Sequence, residues 1–339
     1  MSGWNLKSGE LNMMQVSEDE YWSLFNFVFS DACLKRNTYK YGLIKSIMDN
    51  LFNCLYDESA GVYGLSYEDI FHKFTVNYWN LVLKYHLKQM RPDGKSDVSK
   101  IESILQKFAE EDEVIKDIEF SSLSEKDQQN IVKQVSAACR RNVVGALYND
   151  MNGKLYGFDL KGDKIALSEK GYNFMLKYKA ELEKLNYYAW AKFMEKINGD
   201  DVLVRVLDKL ELATPKRDNL SLYREVLYRE FEECNCFYCG RKLDIDGRGT
   251  HVDHFIPWSY IKDDKLWNFV LSCSKCNERK NNKIPSEKYL KIVIDRNERI
   301  KKTQNEVVQV DFESYSANQL RRMWKYAQLS GMKEFVTGG

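Results

Sequence analysis

Two Cys-x-x-Cys pairs, Cys236-Phe-Tyr-Cys239 and Cys273-Ser-Lys-Cys276, constrain this chain more than any other feature of its sequence. Two residues between ligands let one tight turn aim both thiols at a single point. Two such turns complete the four-sulfur tetrahedron that structural zinc prefers. Gly240, directly after the first pair, offers the backbone freedom that such a knuckle turn tends to need. The intervening 33 residues exceed an ordinary zinc ribbon, so they must fold into something whose two ends the ion holds together. The alternative is four ordinary buried thiols. Cys234 competes as a ligand, but Cys234-Asn-Cys236 has the wrong spacing for a knuckle. Cys33, Cys54 and Cys139 stand isolated in helical segments and read as small core residues.

Inside the stapled loop stands His251-Val-Asp253-His254-Phe-Ile-Pro-Trp258, followed by Asn268 and then by Asn277-Glu-Arg279-Lys280-Asn281. Phosphodiester hydrolysis needs an in-line water, a group to take its proton, and positive charge on the non-bridging and leaving oxygens. An unperturbed imidazole titrates near about 6.5, so a histidine is a competent base at neutral pH, and His254 is the candidate. Magnesium, or manganese in its place, takes hard oxygen ligands, with one or two from protein and the rest from phosphate and water. Asp253 offers a carboxylate oxygen and Asn277 an amide oxygen. Asn281, four residues on along the same helix face, is a rival ligand. Lys280, Arg279 and His251 are candidate substrate contacts. Asp253 and His254 are sequence neighbours, and neighbours on an extended strand face opposite ways. Both can serve one phosphate only if the strand bends or ends there, and Pro257 and Trp258 make such an exit plausible. Trp258, Trp267 and Phe269 read as core of this module rather than as platforms for stacking bases.

The ordered string Asp253-His254-x-x-Pro257, then Asn268, then Cys273-x-x-Cys276-Asn277-x-x-Lys280 resembles the HNH endonuclease superfamily. In that superfamily a β-hairpin and a helix surround one divalent ion. The stretch is similar to the HNH domain of type II CRISPR effectors, which also runs through an acidic turn and on to Pro-Ser-Glu. The four cysteines depart from that domain but occur in many phage and restriction-type HNH enzymes. The chain is expected not to be such an effector itself. The resemblance implies that Asp253 and Asn277 hold the catalytic ion and that His254 is the base. It also implies that Asn268 tethers the loop that orients the base. It covers about 55 residues of the chain. The implied activity is metal-dependent hydrolysis of DNA, in bacterial restriction or anti-phage defence. A non-catalytic zinc module that binds nucleic acid or a partner, and an RNA nuclease, are the alternatives.

The remainder reads as mainly helical, which makes the expected fold mainly α with a small α+β part. Helices are expected from Glu18 (with Ser17 as N-cap), over Tyr39–Tyr56, Tyr67–Met90, Val98–Phe108, Glu125–Cys139 and Leu185–Ile197. The alternation near 155–167 predicts a short β-hairpin, and Ser168 caps the helix after it. Arg91-Pro-Asp-Gly reads as a turn, Glu110–Glu113 as an acidic connector and Asn198-Gly-Asp-Asp as a linker. Helices are also expected over Asp201–Leu212, Leu220–Glu233, Ser286–Ile300 and Ser316–Leu329. The expected domains are a helical recognition or partner domain over 1–198, a helical connector over 199–233, the nuclease module over 234–300 and a helical extension over 301–339. The first of these is a candidate surface for a homodimer or a partner protein. Net charge is only +1, yet Lys and Arg outnumber Asp and Glu by 13 to 9 between Cys234 and Ile300, a modest basic excess that suits phosphate contact and, on charge alone, equally suits a solvated charged face. No apolar stretch is long enough for a membrane span or a signal peptide, so no membrane role and a cytoplasmic location are expected.

Overall fold

The computed structural model describes residues 5–12, 16–92, 97–110, 118–198, 207, 209–210, 220–231, 234–244, 249–302 and 306–336. The turn expected after Arg91, the acidic connector, the 198–201 linker and the helix over 201–212 lie wholly or largely outside these residues. The chain divides into two compact units, Met1–Lys216 and Arg217–Gly339. Among the described residues, no helix is long and apolar enough to cross a membrane.

The first unit is mainly helical. Its elements run β1 (Ser8–Gly9), α1 (Glu18–Phe29), α2 (Tyr39–Asp49), β2 (Leu55–Asp57), β3 (Val62–Ser66) and α3 (Tyr67–Leu83). They continue through α4 (Lys100–Glu110), α5 (Glu125–Asp150), β4 (Tyr156–Asp159), β5 (Lys164–Ser168), α6 (Glu169–Lys177) and α7 (Lys179–Glu195). Side chains such as Ile44, Ile47, Phe71, Phe74, Val135 and Leu147 form the core between α2, α3 and α5. Ser17 caps α1 by accepting from the Glu20 N–H, and Ser168 caps α6 by accepting from the Gly171 N–H. Between α2 and α7 lies a buried ionic cluster, in which Lys45 pairs with Asp49 and Lys179 with Glu183 at 3.0 Å. Burial pushes the Asp49 carboxyl up, but Lys45 and Lys179 overcome this and hold it below the usual carboxylate range.

The sheet of this unit is larger than the hairpin that the sequence predicts. The expected hairpin is β4–β5, and it forms the middle of a five-stranded sheet ordered β1-β4-β5-β3-β2. The expected helix over Tyr39–Tyr56 stops at Asp49, and Leu55–Asp57 turns into a strand. Asp57 makes the reversal: its Oδ1 accepts from the Ser59 and Ala60 N–H groups, and Gly61 takes φ +64° to close the turn. β3 then pairs along its length with β5, Val62 against Ser168. α3 ends at Leu83 rather than Met90, and α5 runs on to Asp150 rather than stopping at Cys139.

The second unit begins with α8 (Ser221–Glu230), followed by the first cysteine knuckle. β6 (Thr250–His254), a helical turn α9 (Trp258–Ile261), β7 (Phe269–Cys273) and α10 (Ser274–Lys280) come next. β6 and β7 pair antiparallel, His254 opposite Phe269 and Thr250 opposite Cys273. This two-stranded hairpin followed by a helix is the small α+β part that the sequence predicts. After it come β8 (Ile284–Pro285), α11 (Glu287–Ile300), α12 (Glu306–Phe312), α13 (Ala317–Leu329) and β9 (Glu334–Phe335). The segment after 300 is not peripheral to the hairpin. β9 pairs in parallel with β8, the Trp324 indole N–H donates to the Pro285 carbonyl at 2.7 Å, and Phe335 is buried.

Candidate functional site

The knuckles meet as their spacing predicts. The sulfurs of Cys236, Cys239, Cys273 and Cys276 all lie within 4.8 Å of one another, and those of Cys239 and Cys273 are 3.8 Å apart. A tetrahedron of thiolates about 2.3 Å from zinc has edges of about 3.8 Å, so the donor set and its size fit a zinc ion. Gly240 takes φ +72° as its N–H returns to the Cys236 carbonyl, the left-handed turn for which a glycine is suited. The described residues include no disulfide, and Cys33, Cys54 and Cys139 are buried singly. Burial pushes the Cys239 thiol up, but hydrogen bonds from the Arg241 backbone and the neighbouring thiols bring it down to about 7. A thiol that ionises near neutrality is suited to metal binding.

β6 carries Asp253 and His254 to the mouth of a cleft of about 300 Å³. Asp253, His254, Pro257, Trp258, Asn277, Glu278, Lys280 and Asn281 line it. Asp253 and His254 are adjacent, yet both reach this cleft because His254 is the last residue of its strand. The chain leaves the strand under the control of Asn268. The Asn268 carbonyl accepts from the Phe255 N–H at 2.7 Å, and its amide both accepts from the Ile256 N–H at 2.8 Å and donates to the Ile256 carbonyl at 3.0 Å. Asn268 is wholly buried and does not line the cleft.

Asn277 lies on α10 across the cleft from β6. Asn281 sits just past the end of α10 at φ +43°, strained for a residue with a side chain, and also lines the cleft. A carboxylate and one or two amide oxygens opening on a polar cavity match what a hard divalent ion takes from protein. His251 and Arg279 do not line this cleft. His251 Nε2 is 3.0 Å from Ser274 Oγ, and Arg279 is exposed. Lys280, expected to meet phosphate, is fully buried. Its ammonium lies 3.1 and 3.2 Å from the two Asp253 carboxylate oxygens and donates to the His254 carbonyl at 2.6 Å. Trp267 and Phe269 are core as expected, whereas Trp258 is half-buried and faces the cleft.

Two contacts escape the sequence reading. Tyr238, inside the first knuckle, donates its phenol O–H to Asp253 Oδ2 at 2.7 Å. Asp264, in the acidic turn after α9, lies 2.7 Å from His254 Nε2. The motif spacing signals neither, because each partner arrives from a separate loop. The acidic turn itself was visible. Only the loop path reveals which of its carboxylates faces the imidazole. In the first unit, a cleft of about 710 Å³ between α3 and α5 mixes Lys133 and Arg140 with Glu68, Glu125 and Asp163. The Arg140 guanidinium lies 4.7 Å from the centre of the Tyr67 ring. That balance of charge lacks the positive excess that phosphate binding draws on.

A β-hairpin and helix beside one polar cleft, with a four-cysteine cluster whose size fits zinc, have the architecture of an HNH-type ββα module. Residues 236–286 match the family of HNH endonucleases. The chain is also similar to the CRISPR-associated endonuclease Cas9 of Streptococcus mutans serotype c (strain ATCC 700610 / UA159), at 43% identity over 51 residues. Those residues make up 15% of this chain, and the chain spans only 4% of the length of that relative. No solved structure matches the chain.

Proposed function

We propose that the second unit is a metal-dependent endonuclease that hydrolyses DNA phosphodiester bonds. The observation that carries this is the single cleft lined by Asp253, His254 and Asn277. A module that only binds nucleic acid needs no imidazole beside a hard-oxygen site. Asp253 and Asn277 would hold Mg²⁺ or Mn²⁺, with Asn281 as the rival to Asn277. When bound, the ion supplies positive charge to the phosphate and to the departing 3′ oxygen. His254 takes the proton of the attacking water as its oxygen bonds to phosphorus, and the bond from phosphorus to the 3′ oxygen breaks. Asn268 fixes the backbone at residues 255 and 256 and so sets where the imidazole starts. Lys280 steadies the Asp253 carboxylate rather than meeting substrate, which leaves the exposed Arg279 as the stronger candidate for phosphate contact. Zinc on the four cysteines holds the start of α10 against the first knuckle. Restriction or anti-phage defence is the setting we favour, by likeness to the enzymes that share this module.

The test is cleavage of supercoiled plasmid with Mg²⁺ or Mn²⁺. The wild-type chain should nick or linearise it, and His254→Ala should not. Retention of zinc and fold with no cutting under any divalent ion would instead support a binding module. Faster cutting of a matched RNA than of DNA would move the substrate to RNA.

A further inference from the structure

We infer that Asp264 is the positioning residue for His254, fixing both the tautomer and the direction of its ring. This rests on the reading of His254 as the base. The contact is short, 2.7 Å from Asp264 Oδ1 to His254 Nε2, and the two side chains are 15% and 4% exposed. A carboxylate offers only acceptor lone pairs. Nε2 therefore carries the hydrogen, and in the neutral ring Nδ1 is left with the lone pair that a base needs. Among the described residues, Nδ1 has no hydrogen-bond partner. The second restraint on the ring is Phe269, opposite His254 in the β6–β7 pairing, whose ring meets it edge-on at 4.8 Å.

The carboxylate is itself held in place. The loop that carries it starts at Lys262, which takes the left-handed conformation at φ +60°. The loop ends at residues 266–268, where three contacts fasten it. Asp311 of α12 accepts from the Leu266 N–H, Asn297 of α11 donates to the Trp267 carbonyl at 2.8 Å, and Asn268 grips Ile256. Arg296 donates to the Phe269 carbonyl at 2.8 Å just beyond. Asp264 thus reaches the imidazole on a loop fixed independently of it. A merely opportunistic surface pair would have no such support.

The experiment follows the imidazole nitrogens of the full-length, zinc-loaded protein by ¹⁵N–¹H correlation, without added Mg²⁺ or Mn²⁺. His254 is one of only four histidines and is assigned by its loss in His254→Gln. The wild type should show the Nε2–H tautomer. Asp264→Ala should show a mixture of tautomers, and Asp264→Asn, which keeps an acceptor of the same size, should stay closer to wild type. In cleavage assays Asp264→Ala should lower kcat by roughly 10²-fold, with KM within about twofold, and Asp264→Glu should recover part of that loss. An Nδ1–H tautomer in the wild type, or full kcat in Asp264→Ala with zinc still bound, would overturn the inference. Should the alanine variant fail to fold, the tautomer of the wild-type protein still decides, since an Nδ1–H form overturns the inference without any variant. The nitrogen spectrum needs no cleavage, so a protein that cuts nothing but shows the Nε2–H tautomer would refute the nuclease reading and leave the positioning intact.

Discussion

Lys280 is the residue whose place departs furthest from what its position in the motif implies. Its spacing after Asn277 suggested a hand for phosphate, yet its ammonium lies buried against both oxygens of Asp253. Removing one partner of a buried pair leaves the other charge uncompensated, at a cost of about 3–5 kcal/mol. Lys280→Met should therefore lose stability of that order in urea denaturation without divalent ions. Mn²⁺ should restore part of the loss, because a cation at Asp253 replaces the missing charge. Equal stability of the variant with and without Mn²⁺ would argue against Asp253 as a metal ligand. Asn281 offers a second test at the same scale. Glycine adopts positive φ without strain, so Asn281→Gly should stabilise the protein by about 1 kcal/mol. Mn²⁺ affinity, titrated by electron paramagnetic resonance, should be unchanged if Asn277 is the ligand. A sharp loss would transfer that role to Asn281. Asp253, His254, Asn268 and Asn277 were legible because their spacing along the chain is itself the motif. Tyr238 and Asp264 were not, because a hydrogen bond across loops depends on register and loop path.

At the scale of elements, the knuckles were readable because two short spacings dictate local geometry. The second knuckle also forms the junction between β7 and α10, since Cys273 ends the strand and Cys276 lies in the helix. Zinc removal should accordingly loosen the helix that carries Asn277. A zinc chelator should abolish cleavage and lower the melting temperature, and stoichiometric zinc should restore both. Zinc binding displaces thiol protons, so affinity falls as pH falls. Burial pushes the Cys236 and Cys276 thiols up while Cys239 sits at about 7, so zinc affinity should fall continuously as pH drops from the alkaline side through neutrality, which a chromogenic chelator can follow. Retention unchanged to strongly acidic pH would contradict thiolate ligation. The strands β2 and β3 were harder to read. The helical pattern of α2 runs on through Asn50 to Tyr56 without an obvious break, and the partner that makes Val62–Ser66 a strand lies about 100 residues on, at β5. The turn chemistry of Asp57 and Gly61 was the one local signal.

Across the whole molecule, mainly helical character and a small stapled α+β part were legible from periodicity and the cysteines. The place of the C-terminal segment was not. Residues 301–339 read as an extension, yet β9 completes a pair with β8, Trp324 binds the Pro285 carbonyl and Asp311 fastens Leu266. Such pairing is long-range and leaves no trace in local composition. Deleting 303–339 should therefore expose 250–300 to limited proteolysis, where the full chain resists. Equal protection in the two chains would show that the segment is dispensable to the module. Whether the cleft between β6 and α10 is a hard-cation site beside an imidazole can be read from diffraction at the manganese edge on crystals soaked in Mn²⁺. An anomalous peak shared by the side chains of Asp253 and Asn277 is expected. A soaked crystal in which no manganese enters the cleft would contradict the hard-cation site.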